Sequence, residues 1–177
     1  MKKITLSLFL ILSMINISLS QTLEQKNLIS IIYLQSNSDL NNEIESVFKK
    51  SLKKGDRITY QISNKLNFID VDVFKEDLMC CIEGLAFDFE LLNNRDAFRN
   101  KFQFESEVNT FSELLPNRQG SLIAHFSKPI GNLLVIELSD RDFSSLPFKQ
   151  GKALKIIFLF DDKGLVDKVF TKTLIYN

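Results

Sequence analysis

The segment ALKIIFLFDDKGLVDKVFTKTLI, residues 153–175, decides the fold. Its two ends, Ala153–Phe160 and Leu165–Ile175, are rich in β-branched and aromatic residues, which favours strands. The residues between them, Asp161–Gly164, are typical of a tight turn, because Asp suits the first turn position and Gly tolerates a left-handed backbone. The sequence therefore predicts an antiparallel hairpin at this end of the chain.

Two further strands are predicted before this hairpin, at Ser121–Ser127 and Asn132–Leu138, and an earlier one at Arg57–Ser63. The N-terminal part has helical periodicity instead, from Thr22 to about Leu34 and again from Asp39 to Gly55. Helices followed by strands indicate an α+β fold, in which N-terminal helices pack on a C-terminal antiparallel sheet of four or five strands.

Apolar residues at helical spacing define the sides of three helices that should be buried. They are Leu28, Ile31 and Ile32 in the first helix, Leu40, Ile44, Val47, Phe48 and Leu52 in the second, and Phe74, Leu78, Cys81, Ile82 and Leu85 in a third that begins at Asp70 or Asp72.

The first twenty residues have the pattern of a secretory signal peptide. Two lysines precede the apolar run Ile4–Ile15, and the small residues Ser18 and Ser20 suit cleavage after Ser20. We expect a bacterial protein exported through the inner membrane, periplasmic or extracellular, with residues 21–177 as a single α+β domain. The alternative is a membrane-tethered structural protein that keeps this segment. The N-terminal residue of the mature protein distinguishes the two.

Composition excludes several classes of function. The chain has 22 basic and 22 acidic residues, so no net positive charge attracts nucleic acid. It contains no phosphate loop, dinucleotide fingerprint or calcium-binding loop of the EF-hand type. The sequence therefore predicts no nucleic-acid partner, no cofactor and no metal.

The two central strands are apolar on both sides. Leu133 and Val135 alternate with apolar residues that face the other way, and so do Ile157 and Leu159. If helices cover one face, the other must be covered by the bent sheet itself, by a ligand or by another chain; strands in a closed core have the same pattern. These four residues are the predicted binding residues for a small apolar ligand or an envelope protein.

His125 is the one imidazole of the chain and the candidate catalytic residue. It lies at strand spacing on the face opposite Leu122, Ala124 and Phe126, and it suits general-base catalysis near neutral pH. A hydrolase that uses His125 with a carboxylate brought near by the fold is the alternative to a binding protein. A surface or edge position for this histidine is the ordinary expectation.

Cys80 and Cys81 are adjacent, so in a helix their thiols point about 100° apart. Cys81 lies on the apolar stripe and Cys80 roughly opposite. The sequence thus allows an intermolecular disulfide through Cys80 in an exported protein.

The segment Ser127-Lys128-Pro129-Ile130, followed by the apolar strand Asn132–Leu138, resembles an element of small exported bacterial proteins of unknown function. The chain lacks the Cys- and Gly-rich hairpin and the terminal Gly-Lys-Trp of that group, and the resemblance implies no particular activity. The order of helices and strands is also similar to the NTF2-like cone, which often encloses an apolar pocket and is the alternative architecture. Together these features predict a non-enzymatic binding or interaction domain.

Overall fold

A computed structural model describes residues 23–52, 57–67, 72–79, 109, 120–141 and 151–176. The helices are α1 (Leu23–Ser36), α2 (Ser38–Phe48) and the short α3 (Lys75–Met79), which continues a 3₁₀ turn at Asp72–Phe74. The strands are β1 (Tyr60–Ile62), β2 (Leu122–Phe126), β3 (Leu133–Ser139), β4 (Gly151–Phe160) and β5 (Val166–Tyr176). The predicted α+β fold is confirmed. Among the described residues, no helix is both long and apolar enough to cross a membrane.

The five strands form one sheet in the order β1-β2-β3-β4-β5, and every pair except β1 with β2 is antiparallel. The predicted hairpin of β4 and β5 is confirmed. The Asp161 side chain accepts hydrogen bonds from the amides of Lys163 and Leu165, at 2.9 and 2.8 Å. Gly164 has φ of 78°, the left-handed conformation that glycine adopts without a steric penalty. This turn fixes the register of the hairpin.

Strand β1 lies at the edge of the sheet and pairs with β2 in parallel. The sequence pattern predicted a strand here but did not indicate its parallel direction. It spans only Tyr60–Ile62 of the predicted Arg57–Ser63. The backbones come very close here, since a Cβ on Gly120 would lie 2.3 Å from the Gln61 amide nitrogen. The Thr59 hydroxyl accepts a hydrogen bond from the Ser121 amide at 3.0 Å, and the Ser121 hydroxyl accepts one from the Thr59 amide at 3.1 Å. Only glycine at position 120 permits this approach.

The main core lies between one face of the sheet, called the first face, and helices α1 and α2. The helices contribute Ile31, Leu34, Leu40, Ile44 and Phe48. The sheet contributes Leu122, Ala124, Phe126, Leu134, Ile136, Leu138, Leu154, Ile156, Phe158 and Phe160. Every member of this cluster is apolar, and its largest side chains are fully buried. Burial of apolar area on this scale is the main stabilising contribution to the fold.

Helix α1 is rotated relative to the sequence prediction. Ile31 is buried as expected, but Leu28 and Ile32 are 46% and 54% exposed. Asn27 and Ser30 are buried in their place. The predicted stripe was wrong because α1 has apolar residues on all sides, so helical periodicity does not select one buried face.

Contacts from α1 to the sheet fix its rotation. The Lys26 ammonium donates to the Gly131 carbonyl at 2.5 Å and lies 5.5 Å from the centre of the Phe160 ring. Burial lowers the pKa of this ammonium. The Tyr33 ring packs edge-on against Phe158, at 5.8 Å between centroids. These contacts place positions 27, 30, 31 and 34 toward the sheet and positions 28 and 32 toward solvent.

Helix α2 follows the predicted stripe. Leu40, Ile44 and Phe48 are buried, and the Asn37 side chain caps the helix by accepting from the Leu40 amide at 2.9 Å. The helix ends at Phe48 rather than at Gly55. The third predicted helix is described only to Met79; its expected members Cys81, Ile82 and Leu85 lie outside the described residues, as does Cys80.

Asn27 offers a test of the rotation of α1. Its side chain is fully buried, and both amide atoms lack a hydrogen-bond partner among the described residues. We expect Asn27→Leu to raise the free energy of unfolding by about 1 kcal/mol or more, because it removes unsatisfied polar atoms and improves helix propensity. Chemical denaturation measures this change.

Asn42→Leu on the exposed side of α2 is the matched control, since it changes helix propensity alone. If Asn27→Leu is less stable than the unmodified protein while Asn42→Leu is not, the Asn27 amide is paired in the folded protein.

Candidate functional site

A row of ionisable side chains crosses the sheet on its second face, opposite α1 and α2. His125 of β2 lies opposite Glu137 of β3. Glu137 lies opposite Lys155 of β4, and Lys155 opposite Lys172 of β5. Residues opposite one another on adjacent strands point to the same side, with Cβ atoms about 5 Å apart. Four consecutive strands therefore present one polar line, which we call the ionisable row.

His125 lies at the inner end of this row and is 4% exposed. The amide of Asn67 donates to the Phe126 carbonyl at 2.8 Å, which fixes Asn67 beside β2. The side-chain nitrogen of Asn67 lies 3.0 Å from Nδ1 of His125. This distance allows a hydrogen bond between the Asn67 amide and the imidazole, whose direction depends on the tautomer of the ring.

The expectation of a surface or edge position for His125 was wrong. Strand β2 lies between β1 and β3, so it is an interior strand of the sheet. Four of its five residues are buried.

Glu137 is 5% exposed and is held by the penultimate residue of the chain. The Tyr176 hydroxyl donates to Oε2 of Glu137 at 3.0 Å. Tyr176 belongs to β5 and lies opposite Gly151 of β4. Because Gly151 has no side chain, the tyrosine ring can cross β4 and reach the carboxylate on β3. Such a hydrogen bond to a charged acceptor is stronger than one between neutral groups.

The row becomes accessible to water at its outer end. Lys155 is 6% exposed, whereas the Lys172 side chain on the edge strand is 42% exposed. The Lys172 ammonium lies 2.9 Å from a carboxylate oxygen of Asp77, which is 32% exposed. Asp77 belongs to α3, so this ion pair connects the short helix to the outer end of the row. The polarity of the row thus extends from solvent to the centre of the sheet.

The segment 72–79 covers part of the second face. The turn at Asp72–Phe74 lies against β5. Phe74 and Leu78 are fully buried but do not belong to the core cluster of the first face. The chain therefore buries both faces of the sheet.

All four predicted binding residues lie together on the second face, beside the ionisable row. Leu133 lies opposite Leu159, and Val135 opposite Ile157. Each of them is buried by the chain itself. Val135 and Ile157 are two residues from Glu137 and Lys155, so the apolar patch formed by these four residues continues directly into the row.

Burial of the row is expensive. Removal of a carboxylate or an ammonium from water costs several kcal/mol per ion, even after relaxation and water penetration, and only good pairing offsets this cost. The buried ionisable side chains of the described residues, His125, Glu137 and Lys155, all lie on the second face. Ionisable groups that burial disfavours are concentrated at functional sites more often than elsewhere. The row is therefore the candidate functional site.

The described residues near His125 do not include a poised serine nucleophile. Ser127 lies two residues along the same strand face, but its hydroxyl donates to the Lys128 carbonyl and accepts from the Val135 amide, both at 3.0 Å. The Ser127 hydroxyl thus serves as the acceptor for the Val135 amide at the end of β2, in place of a backbone carbonyl. General-base activation of water is the hydrolytic chemistry that His125 and Glu137 could support.

Glu137 and Lys155 were not recognised as site residues from the sequence. Each is a charged residue among the apolar residues of its strand on the second face. Charged residues at such positions in two neighbouring strands were the signal that could have identified them. No group of three or more potential metal ligands occurs among the described residues.

No protein-family model, no curated protein and no solved structure matches the chain.

The contact between Tyr176 and Glu137 can be tested by a double-mutant cycle with Tyr176→Phe and Glu137→Met. We expect a coupling free energy of about 1–3 kcal/mol, because the hydroxyl donates to a buried carboxylate. Denaturant unfolding of the four proteins measures it.

Tyr60→Phe is the matched control. The Tyr60 hydroxyl is buried without a hydrogen-bond partner among the described residues, and burial raises the pKa of this phenol. Its removal should leave stability unchanged or raise it, whereas additive effects in the cycle would contradict the contact.

Proposed function

We propose that the protein is an exported, non-enzymatic binding domain for a small molecule with an apolar portion. The observation that carries the proposal is the apolar patch of Leu133, Val135, Ile157 and Leu159 next to the buried ionisable row. Ligand sites typically combine an apolar lining with a few placed polar groups. Export is supported by the composition of Met1–Ser20.

A ligand needs a route to this face, and the outer end of the row supplies the best candidate. The contact of segment 72–79 with β5 includes the Lys172–Asp77 ion pair. Partly exposed ion pairs contribute only about 0–1 kcal/mol. Separation of α3 from β5 therefore loses little at this pair, and its main cost is the exposure of the buried side chains Phe74 and Leu78.

Binding of a neutral apolar probe tests the proposal. We expect the full-length chain to bind N-phenyl-1-naphthylamine saturably, with one site per chain, as measured by its fluorescence. Ile157→Val should weaken this binding about threefold to fourfold, because it removes one methylene from the apolar patch.

Ile156→Val is the matched control. Ile156 and Ile157 are neighbours on β4, both fully buried, and they point to opposite faces. Both variants should lose a similar stability of about 0.5–1.5 kcal/mol, but Ile156→Val should retain the affinity of the unmodified protein. Absence of saturable binding, or equal effects of the two variants, would contradict the proposal.

A hydrolase is the second candidate function, and the register of His125 opposite Glu137 favours it. In this hypothesis the imidazole activates a water and Glu137 stabilises the imidazolium that forms. Any esterase activity toward p-nitrophenyl esters should then fall by about a hundredfold or more in His125→Gln. Activity that is equal in the variant would exclude this role.

A further inference from the structure

We propose that the outer edge of β5 binds the β5 strand of a second copy of this chain, in the antiparallel direction. This pairing joins the two five-stranded sheets into one continuous sheet. The inference does not depend on the proposed function, because it concerns the backbone of the last strand and not the second face of the sheet. It depends on three features of β5: its outward backbone groups, its fixed position and the spacing of its charges.

Strand β5 offers a row of backbone groups to a partner. The Ser127 amide donates to the Val135 carbonyl, and pairs that exchange hydrogen bonds alternate with pairs that do not along an antiparallel ladder. When this alternation is followed through the registers of β3, β4 and β5, the even-numbered residues from Lys168 to Tyr176 bond to β4. The amides and carbonyls of four residues point away from the sheet: Val169, Thr171, Thr173 and Ile175.

The outer edge of β5 is long and accessible. Among the described strands β5 has a neighbour only on its β4 side, and apart from that ladder no hydrogen bond of the described residues uses the outward groups. None of its 11 residues is buried, whereas Ala153–Phe160 of β4 are all buried. A long edge without proline is a template for pairing with another chain.

Contacts from both faces hold the middle of β5 in place. The Thr171 hydroxyl donates to the Glu43 carboxylate of α2 at 2.7 Å on the first face. The next residue, Lys172, pairs with Asp77 of α3 on the second face. The strand therefore presents its edge in a fixed conformation, which lowers the entropy that pairing costs.

The lysines of β5 select one register of pairing. In a two-fold antiparallel pair, each residue lies opposite the residue equally far from the centre on the other side. A pair centred on Phe170 places Lys168 opposite Lys172, and a pair centred on Lys172 places this lysine opposite its own copy. Like charges directly opposite each other destabilise a sheet. A pair centred on Thr171, the midpoint of Val166–Tyr176, avoids both clashes and pairs the whole strand.

The strand complements itself in the register centred on Thr171. On the first face, Thr171 lies opposite its own copy and Val169 lies opposite Thr173. Such β-branched residues are the side chains that favour cross-strand pairs. On the second face each lysine lies opposite an apolar side chain, Lys168 opposite Leu174 and Lys172 opposite Phe170. A second copy of the chain therefore fits this edge.

Sedimentation equilibrium and hydrogen exchange test the proposal. Under reducing conditions, which exclude a disulfide-linked dimer, we expect the mass of the full-length chain to rise from 20.4 kDa to twice this value between low micromolar and millimolar concentration. Exchange followed by NMR should show the four outward amides protected about tenfold or more at the high concentration. The amides that bond to β4 should be protected at both concentrations.

Thr173→Pro removes one outward amide, and Thr173→Ala is the matched control because it changes the exposed side chain and keeps the amide. The proline should weaken dimerisation about thirtyfold or more, since the two copies lose two hydrogen bonds, whereas the alanine should retain the affinity of the unmodified protein.

A chain that stays monomeric at millimolar concentration overturns the proposal. A dimer that persists in Thr173→Pro, or that protects amides elsewhere and not those of β5, overturns it as well. If Thr173→Pro does not fold, as judged by circular dichroism, the exchange of the outward amides in the unmodified protein decides alone.

Discussion

The pairing of β3 with β4 is the constraint on which the rest of the structure depends. These strands are paired along the whole of β3, from Leu133 to Ser139, and the described side chains of the pair are buried on both faces over this length. A sheet buried on both sides needs two covers. Helices α1 and α2 provide the first, and the segment 72–79 contributes to the second. The ionisable row lies on the same face as this second cover, and Asp77 of α3 pairs with Lys172 at the outer end of the row.

Much of the sheet could be predicted because its signals are local. Short runs of β-branched and aromatic residues and the Asp161–Gly164 turn were sufficient to predict β2 to β5 and their antiparallel order. The buried side of helix α2 could be predicted for the same reason, since a single apolar stripe allows only one side to pack against the sheet. The buried side of helix α1 could not be predicted in this way, because α1 has apolar residues on all its sides. Contacts such as that of Lys26 with Gly131 decide its rotation.

The candidate site depends on information that is not local. The partners of the row come from four strands, and their alignment follows from register, which a single sequence does not specify residue by residue. His125 and the apolar patch were recognisable by type and spacing. Glu137 and Tyr176 become meaningful only when β5 is placed beside β4, where Gly151 leaves room for the tyrosine ring. The parallel pairing of β1 with β2 could not be predicted either, because the two strands lie far apart along the chain.

That parallel pairing has a consequence for the order in which the chain folds. Thr59 and Ser121, which join β1 to β2, are 62 residues apart, whereas β4 and β5 are joined by one short turn. Closing a long loop costs more chain entropy than closing a short one, and three paired residues return little. We therefore expect the hairpin to form early and β1 to attach late. Asn67, which reaches His125 just beyond β1, takes its place only in this last step.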